Sequence, residues 1–231
     1  MIDQKVAIIT AASRGIGAAC AEILAKDGYK LILMSRSDDL FPLADRLEAR
    51  PIKGSVTSEA DIERVVGFTF EKYGRIDVVV NNTGHAPKGE LLSISNEEWK
   101  AGMDILLMNV IRMSRFVAPF MKKQRSGSII NISSYGAKLP SLNFPVSSVM
   151  RSALSAFCKL FVEEYASHQV RMNNVLPGFI NSYPADEETI NTIPMLRQGT
   201  PDEVAELVRF LASEKGAYIN GQDLSVDGGL T

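Results

Sequence analysis

The sequence predicts an α/β protein, a doubly wound parallel sheet of about seven strands with helices on both faces. Three observations carry that expectation. Apolar runs of strand length recur along the chain, segments of helical periodicity separate them, and a glycine-rich turn follows the first run. With 231 residues, 45% hydrophobic and 23% charged, the chain has the composition of an ordinary globular protein and the length of a single α/β domain, 1–231. A formal net charge of -2 supplies no large positive field, which argues against nucleic acid as a partner.

The runs are Val6 to Thr10, Leu31 to Ser35, Ile76 to Asn81, Ser128 to Ser133, Val170 to Leu176 and Leu224 to Val226. Runs this continuously apolar suit strands covered on both faces. Helix signals fall between them. Ser58 precedes Asp61 by three residues, and Thr200-Pro-Asp-Glu203 combines an N-cap, a proline at N1 and a capping-box glutamate. Gly28 and Gly74 stand where C-caps are needed. No repeat or linker divides the chain, and its longest irregular stretch, 181–199, has the length of a lid or binding loop. The first apolar run is too short for a signal peptide, and none reaches the roughly 18 to 20 residues of a membrane span, so a cytoplasmic protein without a membrane partner is expected. Cys20 and Cys158 read as buried thiols, and with only His85 and His168 available no metal site is expected.

The glycine-rich turn is Thr10-Ala11-Ala12-Ser13-Arg14-Gly15-Ile16-Gly17, running directly into a helix. Glycines there let backbone amides and the helix N-terminus approach a pyrophosphate, where the positive end of the dipole favours the anion. Further along come Asn81-Asn82-Thr83-Gly84, Asn109, Ile130-Asn-Ile-Ser-Ser134, Pro177-Gly178-Phe179-Ile180 and Asp227-Gly228-Gly229. In this order and spacing the motifs resemble those of the short-chain dehydrogenase/reductase family over essentially the whole chain. The resemblance implies a Rossmann-type dinucleotide-binding fold. It assigns Ser13, Arg14, Gly15, Ile16 and Gly17 to the pyrophosphate loop, with Ala11 where the family's first glycine usually sits. It places Asn82 and Gly84 beside the adenosine, and Ser55 and Val56 at the adenine, Ser55 standing in for a frequent aspartate. Asn109 takes the place of the proton-relay asparagine and Ser134 that of the catalytic serine, while Pro177, Gly178 and Ile180 flank the nicotinamide.

Charge selects the cofactor. A ribose 2′-hydroxyl is held by an acid after the second strand, whereas a 2′-phosphate calls for arginine. Here that strand ends Met34-Ser35-Arg36-Ser37 with no acid at its tip, and Arg14 lies inside the glycine loop. Two guanidinium groups and two hydroxyls suit a phosphate, so NADP(H) is expected in preference to NAD(H).

One hallmark is absent. The family carries a tyrosine thirteen residues after the serine and a lysine four further on, and these slots fall on Ser147 and Arg151. The spacing keeps both on one helical face. An aliphatic hydroxyl is a far poorer acid than a phenol. Arginine can bond the nicotinamide ribose but cannot shuttle a proton. Tyr135, His85 and Tyr183 are the alternative proton donors, each with a purely packing or surface role as the plainer reading. Three functions remain open: an NADP(H)-dependent reductase or dehydrogenase of a carbonyl or alcohol with a non-standard proton donor, a dinucleotide-binding sensor or partner subunit, and a non-redox dehydratase or isomerase. The apolar stretches Ile105 to Phe120 and Ala153 to Tyr165 are compatible with the homodimer or homotetramer usual in the family. Lys122, Lys123 and Arg125 read as a solvated helix end or as a dock for an acidic carrier protein.

Overall fold

The computed structural model describes residues 4–231; Met1 to Asp3, which the sequence reading includes in the domain, lie outside it. The chain alternates strand and helix: β1 (Val6–Thr10), α1 (Gly15–Lys26), β2 (Lys30–Ser35), α2 (Leu40–Arg46), β3 (Arg50–Lys53), α3 (Glu59–Tyr73), β4 (Val78–Asn81) and α4 (Asn96–Met103). A π-helical turn, Asp104–Met108, leads into α5 (Asn109–Gln124). Then follow β5 (Gly127–Ile132), α6 (Pro145–Tyr165), β6 (Val170–Pro177), α7 (Glu187–Asn191), α8 (Pro201–Ala212) and β7 (Asp223–Val226). All seven strands are parallel, in the order β3-β2-β1-β4-β5-β6-β7. The order in which strands are added reverses between β1 and β4, and the carboxyl ends of those strands form the crevice where such sheets bind ligands.

Side chains alternate along β1 to feed two cores. Ala7 and Ile9 face α1, α2 and α8, with Cys20, Leu24 and Val208 in that layer. Val6 and Ile8 face α3, α5 and α6, with Val65, Val117 and Cys158. Both cysteines are buried free thiols pushed up to about 12 by loss of water, and Cys158 donates to the Met172 carbonyl.

The caps behave as their sequences predict. The Ser58 and Thr200 hydroxyls accept from the amides of Asp61 and Glu203, and Gly28 and Gly74 take left-handed φ of 81° and 69° at their helix ends. Two segments differ from expectation. β3 is an edge strand of four residues with exposed Arg50 and Lys53 around Pro51, and charges and proline on an edge erase the apolar signature. The stretch 181–199 is not wholly irregular, because Asp186 caps the short helix α7 through the Thr189 amide.

Candidate dinucleotide and active site

Most expected site residues lie just beyond the carboxyl end of a strand or at the start of α1 or α6; Pro177 is the last residue of β6, Arg151 lies in the second turn of α6 and Asn109 opens α5. Ala12 donates to the Met34 carbonyl, which ties the glycine turn to β2. A Cβ on Gly17 would lie 2.4 Å from the Ala11 carbonyl oxygen and 2.7 Å from Asn82 Nδ2, so only glycine permits this turn. Asn82 itself donates through Nδ2 to Ala11 O, and its backbone is clamped by the Thr10 hydroxyl at 2.7 and 2.9 Å. Ala11 holds φ 45°, a left-handed conformation normally glycine's, and Gly15 follows at φ 56°. No side chain caps the amides that open α1, and its first turn has no acid. These amides are free for an anion.

The β2 edge carries the charge expected for a phosphate. Ser35 Oγ donates to Ser13 Oγ at 3.0 Å, and Arg14 and Arg36 are exposed and form no ion pair among the described residues. The nearby acids are engaged elsewhere: Asp38 pairs with Lys53 at 2.6 Å, and Asp39 accepts from Ser37. Ser55 bonds Thr57 through its hydroxyl and donates its amide to Asp61, while Val56 packs partly buried against the core.

Beyond β5, Ser134 Oγ accepts from the Gly136 amide. Tyr135 buries its ring against Phe179 and Phe144, at centroid distances of 5.4 and 6.5 Å, and burial raises its phenol. Ser147 lies in the first turn of α6. One turn on, Arg151 is 7% exposed and donates from Nη1 to Ile132 O at 2.6 Å, while Nε is buried without a partner. Among the described residues no carboxylate pairs with it, and burial lowers it to about 10. Asn109 sits at the end of the π turn and donates to Ile105 O at 2.5 Å, leaving Oδ1 buried and unbonded.

Gly178 packs on Asp227, where a Cβ would come within 2.8 Å of the Asp227 Cα, and the Asp227 carboxylate in turn accepts from the Gly229 and Thr231 amides. Ile180 bridges Gly199 and so closes the neck of the 181–199 excursion. Sequence reasoning passed over Ser182, whose Cβ lies 3.2 Å from the position a Cβ on Gly15 would take. Its distance of five residues from Pro177 on a loop leaving a strand end was the available signal. A cleft of about 810 Å³ opens beside Tyr135 and Phe179, walled by Leu139, Leu142, Glu188 and Leu230. At the opposite edge of the sheet, Arg125 borders a cavity of about 200 Å³ whose acids are paired, Glu214 with Lys5 and Asp77 with Arg75, and whose arginines donate to backbone carbonyls. The Lys122 to Arg125 cluster therefore stands away from the crevice of its own chain. Among the described residues no group of His, Cys, Asp and Glu could hold a metal ion, and no helix is long and apolar enough to cross a membrane.

A parallel sheet with this strand order, a glycine cradle at its switch point and a serine at the end of β5 defines a dinucleotide-binding protein of the short-chain dehydrogenase/reductase type. The family described as enoyl-(acyl carrier protein) reductase matches residues 10–231. The chain is 34% identical to 3-oxoacyl-[acyl-carrier-protein] reductase FabG of Thermotoga maritima, covering 99% of this chain and 98% of that protein. It is 35% identical to the 3-oxoacyl-[acyl-carrier-protein] reductase of Synechocystis sp. with the same coverage, and 34% identical to oxidoreductase UcpA of Salmonella typhimurium over 100% and 95%. The crystal structure of YwfH, an NADPH-dependent reductase involved in bacilysin biosynthesis, superposes with a TM-score of 0.93 at 28% identity over 99% of both chains. The chain belongs to the short-chain dehydrogenase/reductase family.

Proposed function

We propose that the protein is an NADP(H)-dependent oxidoreductase that interconverts a carbonyl and an alcohol at the carboxyl edge of its sheet. The observation that carries this reading is the cradle: a turn that admits only Gly17, uncapped helix amides behind it, and the unpaired Arg14 and Arg36 beside Ser13 and Ser37. These residues fit a pyrophosphate and a 2′-phosphate. Ser182, on Gly15, joins them as a hydroxyl over the phosphate turn, and the 181–199 segment acts as the lid. Asn82, Gly84, Ser55 and Val56 border the adenosine, and Pro177, Gly178 and Ile180 the nicotinamide. Relatives named as 3-oxoacyl-[acyl-carrier-protein] reductases favour a 3-oxoacyl thioester or a similar small carbonyl compound as substrate.

Bound NADPH would supply hydride to the carbonyl carbon. Ser134 then holds the carbonyl oxygen with its hydroxyl. Ser147 and Arg151 occupy the positions that the family gives to tyrosine and lysine. Ser147 is too weak an acid to replace a phenol, but the charged, unneutralised Arg151 stabilises negative charge developing on that oxygen. The bare Oδ1 of Asn109 fits a water, which would deliver the proton that no side chain in the Ser147 position can. A sensor or partner subunit is the second reading, and the serine at position 147 favours it. Exposed Met103 on α4 and Val149 and Leu160 on α6 support a homodimer or homotetramer, and a cytoplasmic location completes the reading.

Fluorescence titration with NADPH and NADH at fixed salt tests the cofactor. Micromolar NADPH affinity with much weaker NADH is expected, and binding of neither overturns both readings. Acetoacetyl-coenzyme A and a panel of aldehydes and ketones then separate enzyme from sensor. The double variant Ser147→Tyr, Arg151→Lys should gain reductase activity on the same panel.

A further inference from the structure

Two rims of the crevice meet through a ring contact. His85, in the loop after β4, sets its ring edge-on to the ring of Tyr183 in the 181–199 segment, with centroids 4.6 Å apart and planes at 75°. Tyr183 follows Ser182, which itself packs on Gly15 at the phosphate turn. Three cations from three different elements act on the imidazole: Lys88 from its own loop, Arg151 from α6 and Arg14 from the start of α1. Tyr183 is the titratable group facing it from the lid, and no carboxylate is among the groups that act on it. Partial burial and these cations hold His85 below the ordinary imidazole value, so it is neutral at pH 7. Arg14 and Lys88 form no ion pair among the described residues.

Such a cluster suits an anion. The bridging phosphates of a dinucleotide bring two negative charges to this position and reverse the field that keeps the ring neutral. Resting on the dinucleotide reading given above, we propose that His85 is a ligand of the dinucleotide phosphates, that it takes up a proton as they bind, and that Tyr183 closes over it as the lid half of a clasp. This gives the histidine a role in binding in place of proton donation to substrate. The sign follows from linkage. A group that binds more protons in the complex than in the free protein makes affinity rise as pH falls through the interval between its two titration points.

Calorimetric titration of the full chain with NADPH in two buffers of different ionisation enthalpy measures proton uptake, and a fluorescence series from pH 6 to 8 measures affinity. The wild type should take up a fraction of a proton at pH 7 and bind roughly 3-fold to 10-fold more tightly at pH 6 than at pH 8. The 2′-phosphate of NADPH itself titrates near about 6, so the comparison is made with His85→Gln. That variant should bind with less uptake and a flatter pH dependence. Tyr183→Ala should speed NADPH release several-fold, while Tyr183→Phe, which keeps the ring contact, should not. Equal uptake in wild type and His85→Gln overturns the proposal while leaving the cofactor assignment intact. Absence of NADPH binding at every pH overturns the cofactor assignment itself.

Discussion

The two halves of the sheet share a buried apolar interior, to which the β4 to β7 half adds a polar row. On the β3-β2-β1 side the central strands are hydrocarbon: Val6 to Ile9 and Ile32 to Met34 are fully buried apolar residues. On the β4 to β7 side a row of buried amides crosses the sheet. Asn81 Nδ2 donates to Asn131 Oδ1 at 2.9 Å, Asn131 Nδ2 to Asn174 Oδ1 at 2.8 Å, and Asn174 Nδ2 to the Asp223 carboxylate at 2.7 Å. The residues are direct partners in the strand register. Apolar burial is non-directional and tolerates small shifts, whereas a slip of one residue in this half would strand every amide in a dry interior. The half that tolerates less carries the catalytic chemistry proposed above. Asn82, Ser134 and Pro177 leave their strands one, three and three residues beyond the row, so the row sets a common baseline for three site loops.

Asn131→Ala should have the largest effect, because it leaves both Asn81 Nδ2 and Asn174 Oδ1 unmet. At about 1–3 kcal/mol for each buried unsatisfied group, the loss should be about 2–6 kcal/mol, read from the urea midpoint. A cost no greater than that of a methyl deletion would dissolve the contrast between the halves. Arg36→Ala comes next, on the other half. It should weaken NADPH binding roughly 10-fold to 100-fold, the value of a charge-assisted hydrogen bond, and leave NADH and stability unchanged. An equal loss for NADH would show that the guanidinium does not face the 2′-phosphate. Ile9→Val in β1 should cost only about 1 kcal/mol by the same denaturation assay. The smallest effect carries the opposite sign. Ala11→Gly relieves a left-handed alanine at φ 45° and should stabilise the protein by about 0.5–1 kcal/mol after the entropy of glycine is counted. Destabilisation there would mean that Ala11 packs better than its backbone suggests.

Legibility in the sequence depended on how local each pattern is. The apolar strands, the caps at Ser58 and Thr200 and the glycine turn were readable because each is a pattern within a few neighbouring residues. Ser134 was expected from the family motif and Ser147 and Arg151 by counting from it, and the turn around Gly17 is as restrictive as its motif implies. β3 escaped notice because an exposed edge strand has no apolar run to display. Asn109 was legible as a position, but the π turn that leaves its Oδ1 bare was not.

The sequence by itself determined the α/β class, the order of the elements and the family motifs, since periodicity, capping and turn chemistry act over one or two turns of chain. Only the tertiary structure decided that Asn81, Asn131, Asn174 and Asp223 form one row, that Arg151 is buried without a counter-charge, and that His85 meets Tyr183. The partners in that row stand 50, 43 and 49 residues apart along the chain. Nothing local distinguishes an asparagine that will find such a partner from one that will face water, because the distinction arises only when helices pack on both faces and exclude the solvent.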